Sequence, residues 1–255
     1  MENILSIGLV QTDLRWKDKT ANLARIHQLV ESIHQPIDVL LLPELFNTAF
    51  CIDDLSLAED ESGATLAFMQ QLSIQQACAV GGSFLFKENE NVYNRFFLVD
   101  KNEVLGVYDK HYLFSLVNEN QLLQNGNKKT CVTYKGWKLQ PFICYDLRFP
   151  AWCQNNDNSD VQLYVASWPQ KRIHHWQILL QARAIENQCY TVGVNRIGDD
   201  FYNNAHNGHS SVFDFTGTKI CDMQSKDGID IVTLSKVDLE AHKKRYPFWK
   251  DREKE

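Results

Sequence analysis

Apolar residues recur along this chain at two periods. Leu23, Ile26, Leu29, Val30 and Ile33 fall three or four positions apart, as do Ile178, Leu179, Ala182 and Ile185, the spacing that gathers side chains on one face of a helix. Segments 3–10, 38–42, 79–86, 93–99, 103–108, 139–144, 161–166, 190–195, 211–215 and 229–234 are short apolar runs or alternations of strand length. Helices and strands alternate early and hairpins come later. Asn125-Gly126-Asn127, Lys135-Gly136 and Thr216-Gly217-Thr218 supply turns. This periodicity supports an α/β or α+β fold. No repeat, linker or low-complexity stretch interrupts it, so residues 1–255 are expected to form one domain.

Three of the apolar runs end in reactive groups. The strand through Leu139, Pro141, Phe142 and Ile143 delivers Cys144 to its carboxyl end, where α/β proteins open their crevices, and a helix is expected from Pro150. The run from Asp38 ends in Pro43-Glu44, and the run from Val104 ends in Asp109-Lys110-His111. A carboxylate, an ammonium and a thiol could therefore meet at one end of a sheet. A free thiol is mostly protonated near neutral pH, so a nucleophilic cysteine needs a base or a cation beside it. Glu44 can serve as the base. Lys110 can favour the thiolate and donate to an oxyanion. Taken singly, each has an ordinary reading as a small core residue, a loop carboxylate or a solvated strand-end charge.

Together, Glu, Lys and Cys in LLPELF, YDKHYLF and ICYDLRFP resemble the carbon-nitrogen hydrolase family, or nitrilase superfamily, whose members use a Glu-Lys-Cys triad. The resemblance spans nearly the whole chain, through GGSF at Gly81, YVASWP, the ARAIENQ segment and NGHSSVFDFTG. It implies a four-layer α-β-β-α sandwich, no metal or organic cofactor, a homodimer, and an oxyanion held by Lys110 and the backbone N–H of Tyr145. CYDLRFP paired with ARAIENQ is similar to the ω-amidase branch, which hydrolyses the terminal amide of 2-oxo-acid amides such as 2-oxoglutaramate and 2-oxosuccinamate.

The resemblance also proposes residues around the substrate. Glu119 matches a second glutamate near the lysine. Arg148, four residues past Cys144, can hold a carboxylate with two parallel hydrogen bonds, unless it pairs structurally with Asp146 or Glu186. Trp168 is expected in a pocket wall. His175, with His174 and Trp176, matches a helix start that caps, packs or lines a pocket. Arg183, Glu186 and Asn187 are expected to fix that helix through a buried polar network. Where the family often carries an aromatic residue two positions before Gly208, this chain has His206.

Composition narrows the alternatives. A formal charge of −6 with no basic cluster beyond His242-Lys243-Lys244-Arg245 argues against nucleic acid or an anionic membrane as partner. Seven cysteines without a CxxC pair argue against a disulfide framework or zinc knuckle. No signal peptide or membrane-spanning run is evident, so a reducing cytoplasm is expected, with a frayed polar tail from Asp251. The expected partner is a small carboxylate-bearing amide. Three rivals stand beside the ω-amidase reading: an N-carbamoyl amino acid hydrolase with the same triad, a papain-like Cys-His protease, and a non-catalytic scaffold.

Overall fold

The computed structural model describes residues 3–251; residues 1–2 and the polar tail beyond Asp251 lie outside them. Two six-stranded sheets form the centre. The first comprises β1 (Ile4–Gln11), β2 (Val39–Leu41), β3 (Ala79–Glu88), β4 (Asn91–Asp100), β5 (Glu103–Asp109) and β14 (Gly228–Ser235), in the order β14-β1-β2-β3-β4-β5. The second comprises β6 (Val132–Tyr134), β7 (Trp137–Ile143), β8 (Val161–Val165), β9 (Tyr190–Val194), β12 (Ser211–Phe213) and β13 (Lys219–Asp222), in the order β13-β12-β9-β8-β7-β6. Each has a parallel centre and antiparallel flanks. A small ribbon, β10 (Ile197–Asp199) with β11 (Ala205–Asn207), lies apart.

Period-two alternation divides the first sheet between two cores. Leu5, Ile7, Leu9, Val39, Leu41, Phe96 and Leu98 join the core shared with the second sheet. Their neighbours Val10, Leu40, Val80, Phe97 and Val99 pack with Ile26 and Val30 of α1 (Lys19–Val30) and with Leu66, Met69 and Leu72 of α2 (Ala64–Gln76). A one-residue slip in any of these strands would exchange the two sets. On the second sheet, Val161, Leu163 and Val165 share the core with the first sheet, and α5 (Ile173–Asn187) covers the other face through Trp176 and Leu180. The expected α-β-β-α layering is therefore present.

The shorter helices are α3 (Glu119–Leu122), α4 (Pro150–Cys153) and α6 (Lys236–Arg245). The helix expected from Pro150 is a single turn. The basic run 242–245 closes α6, where cations complement the unpaired carbonyls of a helix end. The expected network around α5 is also present: Arg183 donates to Leu147 O and Glu186 Oε1, both at 2.8 Å, and Asn187 donates to Cys153 O at 2.9 Å. Glu186 sits at its exposed edge.

Gly193 in β9 sets how closely α5 approaches. A Cβ there would lie 2.5 Å from Leu180 and 2.6 Å from Trp176. Overpacking of this kind costs about 1–3 kcal/mol. Gly193→Ala is expected to lower the unfolding free energy by about that amount in urea titration. An unchanged midpoint would mean that the helix yields freely.

Candidate active site

Glu44 lies three residues beyond β2, Lys110 directly follows β5, and Cys144 directly follows β7. Two of the three groups come from the first sheet and one from the second, so they meet across the sandwich and not at the end of one sheet. Glu44 and Lys110 are buried. Lys110 Nζ donates to Glu44 Oε1 at 2.8 Å and lies 2.9 Å from both carboxylate oxygens of Glu119, at the start of α3. Burial alone would drive the ammonium toward neutrality, but Glu119 and Glu44 outweigh it and hold the pKa above that of an ordinary lysine. Burial raises the Glu119 carboxyl, with Lys110 opposing and Glu44 reinforcing the rise.

Further donors fix both carboxylates. Ser167 N–H reaches Glu44 Oε2 at 2.9 Å, Phe114 N–H reaches Glu119 Oε2 at 2.6 Å, and Asn94 Nδ2 lies 2.9 Å from Glu44 Oε1 and 3.5 Å from Glu119 Oε1. Asn94 carries no sequence signal, because a polar residue in an alternating strand normally reads as solvent-facing.

Cys144 has φ +45°, a strained conformation for a residue with a side chain, and it turns β7 directly into the 3-10 turn Cys144–Arg148. Asp146 holds this turn. Its carboxylate accepts from Ile143 N–H at 3.0 Å, Tyr112 N–H at 2.8 Å and Tyr108 O–H at 2.7 Å, tying the cysteine turn to the segment that carries Lys110. Burial pushes Asp146 up to about 6 despite these donors.

Cys144 is half-buried and lines a cavity of about 240 Å³. Burial and the Glu44 charge push its pKa well above an ordinary thiol's; Lys110 and Ser167 N–H work the other way without prevailing. Lys110 therefore does favour the thiolate, but burial and Glu44 outweigh it. The environment holds a neutral thiol beside a base, which suits proton removal during attack. Among the described residues no imidazole hydrogen-bonds the sulfur, and the one histidine lining the cavity, His206, contacts Ser167 instead, which leaves a Cys-His protease unsupported.

Tyr145, Arg148, Trp168 and Arg172 line the cavity. Arg148 lies 4.7 Å above the Trp168 ring, and neither Asp146 nor Glu186 pairs with it, since both are bonded elsewhere. No carboxylate among the described residues forms an ion pair with Arg148 or Arg172. Burial and the Arg172 charge lower the pKa of Arg148. His175 is not in the cavity lining; its Nδ1 lies 3.3 Å from Arg148, so it backs the guanidinium from outside. Trp168 is anchored by Asn195, which accepts its N–H at 2.7 Å and donates to its carbonyl at 3.0 Å.

The sequence model of the family described as Carbon-nitrogen hydrolase matches residues 6–244. The chain belongs to the carbon-nitrogen hydrolase family. Among its relatives, ω-amidase YafV of Yersinia enterocolitica is 37% identical over 251 residues, covering 98% of this chain and 97% of that protein. A 2-oxoglutaramate amidase of Bacillus subtilis is 30% identical over 240 residues, covering 92% and 91%. The crystal structure of XC1258 from Xanthomonas campestris, a CN-hydrolase superfamily protein with an arsenic adduct in its active site, matches with a TM-score of 0.96 and 34% identity, covering 100% of this chain and 99% of the other. No helix among the described residues is long and apolar enough to cross a membrane, and no group of three or more His, Cys, Asp or Glu among them could hold a metal ion.

A carbon-nitrogen hydrolase whose thiol rests neutral has a distinct alkylation profile. The rate of Cys144 modification by iodoacetamide, followed on its own peptide, is expected to keep rising beyond the point where an ordinary thiol levels off, about pH 8.5. A plateau already reached near pH 7 would show a preformed thiolate instead.

Proposed function

We propose that this protein is an ω-amidase that hydrolyses the terminal amide of 2-oxo-acid amides such as 2-oxoglutaramate through a thioester on Cys144. The observation that carries the substrate class is the pair of guanidiniums, Arg148 and Arg172, that line the cysteine's cavity without a carboxylate partner among the described residues. A buried or half-buried cation without a counter-ion is costly, and a substrate carboxylate relieves that cost with charge-assisted hydrogen bonds. Similarity to relatives named ω-amidase and 2-oxoglutaramate amidase supports the same choice.

In the proposed cycle the substrate carboxylate lies against Arg148 and its amide carbon faces Cys144. Glu44 takes the thiol proton as the S–C bond forms, and the carbonyl π electrons move onto oxygen. The oxyanion is met by Tyr145 N–H and by Lys110, which has three protons and only two carboxylate partners. As this intermediate collapses, the C–N bond breaks, the nitrogen takes the proton from Glu44, and ammonia leaves a thioester. Water then gives a proton to Glu44 while its oxygen adds to the thioester carbon. Collapse expels the sulfur, which recovers that proton. The sum is amide plus water giving acid plus ammonia. Glu119 and Asn94 never exchange a proton; they keep Glu44 and Lys110 at fixed distances so that the charge response needs no reorganisation.

The same reading has the enzyme working as a homodimer in the cytoplasm. Ile178 and Ile185 of α5 are more than half exposed, an apolar face that a second subunit would cover, and seven thiols without a disulfide suit a reducing compartment.

The test compares ammonia release from 2-oxoglutaramate, glutamine and an N-carbamoyl amino acid. The expected result is selective turnover of 2-oxoglutaramate, its loss in Cys144→Ala, and a KM raised at least about tenfold in Arg148→Met, from the loss of a charge-assisted contact of roughly 1.5–3 kcal/mol. Turnover that survives Cys144→Ala would end the mechanism. Activity confined to the carbamoyl compound would keep the chemistry and replace the substrate.

A further inference from the structure

Ser167 and His206 form a polar stretch of the cavity wall to which the cycle above gives no task for its side chains. Ser167 follows the end of β8, and its backbone N–H holds Glu44 Oε2 at 2.9 Å and also acts on the Cys144 sulfur. The serine is therefore adjacent to both the base and the nucleophile. Its hydroxyl Oγ lies 3.4 Å from Nε2 of His206, the middle residue of β11.

The proton positions on this pair follow from their partners. His206 Nδ1 lies 3.0 Å from the carbonyl oxygen of Asn204, and a carbonyl can only accept, so Nδ1 carries hydrogen. Burial and the neighbouring Arg196 lower the imidazole pKa to about 4, which leaves the ring neutral with a single proton. Nε2 is then a bare lone pair facing the serine. The only bond the two can make has Ser167 Oγ–H donating to His206 Nε2. Once that proton is committed, the hydroxyl oxygen presents lone pairs alone to the cavity.

Resting on the amidase reading, we infer that Ser167 Oγ, its proton held by His206, accepts a hydrogen bond from the NH₂ group of the scissile amide and thereby makes the enzyme selective for primary amides over esters of the same acid. The departing nitrogen must lie close to Glu44 to receive its proton, and Ser167 N–H already touches that carboxylate. A primary amide has N–H bonds to offer an acceptor there. An ester oxygen has none, so its lone pairs would oppose those of the serine and leave a buried acceptor unpaired, the arrangement by which sites built to bond an N–H reject analogues without one. Ser167 would touch the substrate; His206 would act through Ser167 as a positioning residue.

The measurement is kcat/KM for 2-oxoglutaramate against kcat/KM for the methyl ester at the same carbon of the same acid, in wild type, Ser167→Ala, His206→Phe and His206→Gln. In Ser167→Ala and His206→Phe the amide value is expected to fall at least about tenfold while the ester value holds or rises. His206→Gln supplies an oxygen to accept from Ser167 and an N–H for Asn204 O, so it is expected to keep the amide-to-ester ratio within about threefold of wild type. A ratio unchanged in Ser167→Ala, or amide and ester falling together, would overturn the inference and leave the amidase reading intact. Absence of ammonia release from 2-oxoglutaramate by the wild type would overturn that reading and this inference with it.

Discussion

The site depends on one buried ammonium. Lys110 Nζ is out of contact with water and lies within 2.9 Å of oxygens from two carboxylates on separate segments of the chain. Removing a charge from water costs several kcal/mol unless partners of good geometry surround it, and stripping one partner away leaves the other charge uncompensated. Glu44 and Glu119 must therefore arrive together with Lys110 or not at all. Two carboxylates around one ammonium would repel each other, and Asn94, the Phe114 N–H and the Ser167 N–H supply the donors that let them coexist. Each donor belongs to a different segment, so satisfying the ammonium draws strand ends and loops from both sheets to one point.

Packing of the sandwich and assembly of the chemistry are consequently the same event. Cys144 follows a strand of the second sheet, while Glu44 and Lys110 follow strands of the first, and the apolar seam between the sheets sets their separation. Asp146 converts that seam into a fixed geometry by bonding the cysteine turn to Tyr108 and Tyr112. The left-handed backbone at Cys144 stores strain that this turn must hold in place. The surroundings fit the same design: donors pin the base in place, burial and the Glu44 charge raise the thiol's pKa, and Arg148 and Arg172 line the cavity beyond them.

The parts of this arrangement that can be read in the sequence share one property. Glu44, Lys110 and Cys144 each stand where an apolar run gives way to polar residues, so the boundary itself marks them, and the long strands were legible for the same reason. Glu119, Arg148 and Trp168 became visible only through family resemblance. Asn94 is hidden in an alternating strand, and Asp146 looks like any turn carboxylate until Tyr108 and Tyr112 come near. Arg172 and the Ser167–His206 pair acquire meaning only once the segment that follows β8 meets the β10–β11 ribbon at the cavity. Strands β6, β10, β11 and β13, of three or four residues each, lie outside any apolar run, unlike the equally short β2 and β12. Helix α2 shows no clear apolar period because two of its five buried positions are the polar Thr65 and Ser73.

The central claim is that both half-reactions pass through one acyl group carried on Cys144. Hydroxylamine competes with water for such a group, so the hydroxamate-to-acid ratio tests the claim without requiring the thioester to accumulate. If 2-oxoglutaramate and the matching methyl ester yield the same acyl-enzyme, the ratio is identical for both at a fixed hydroxylamine concentration, and both products vanish in Cys144→Ala. Ratios that differ between the two substrates, or hydroxamate formation that persists without the thiol, would contradict a common intermediate on Cys144.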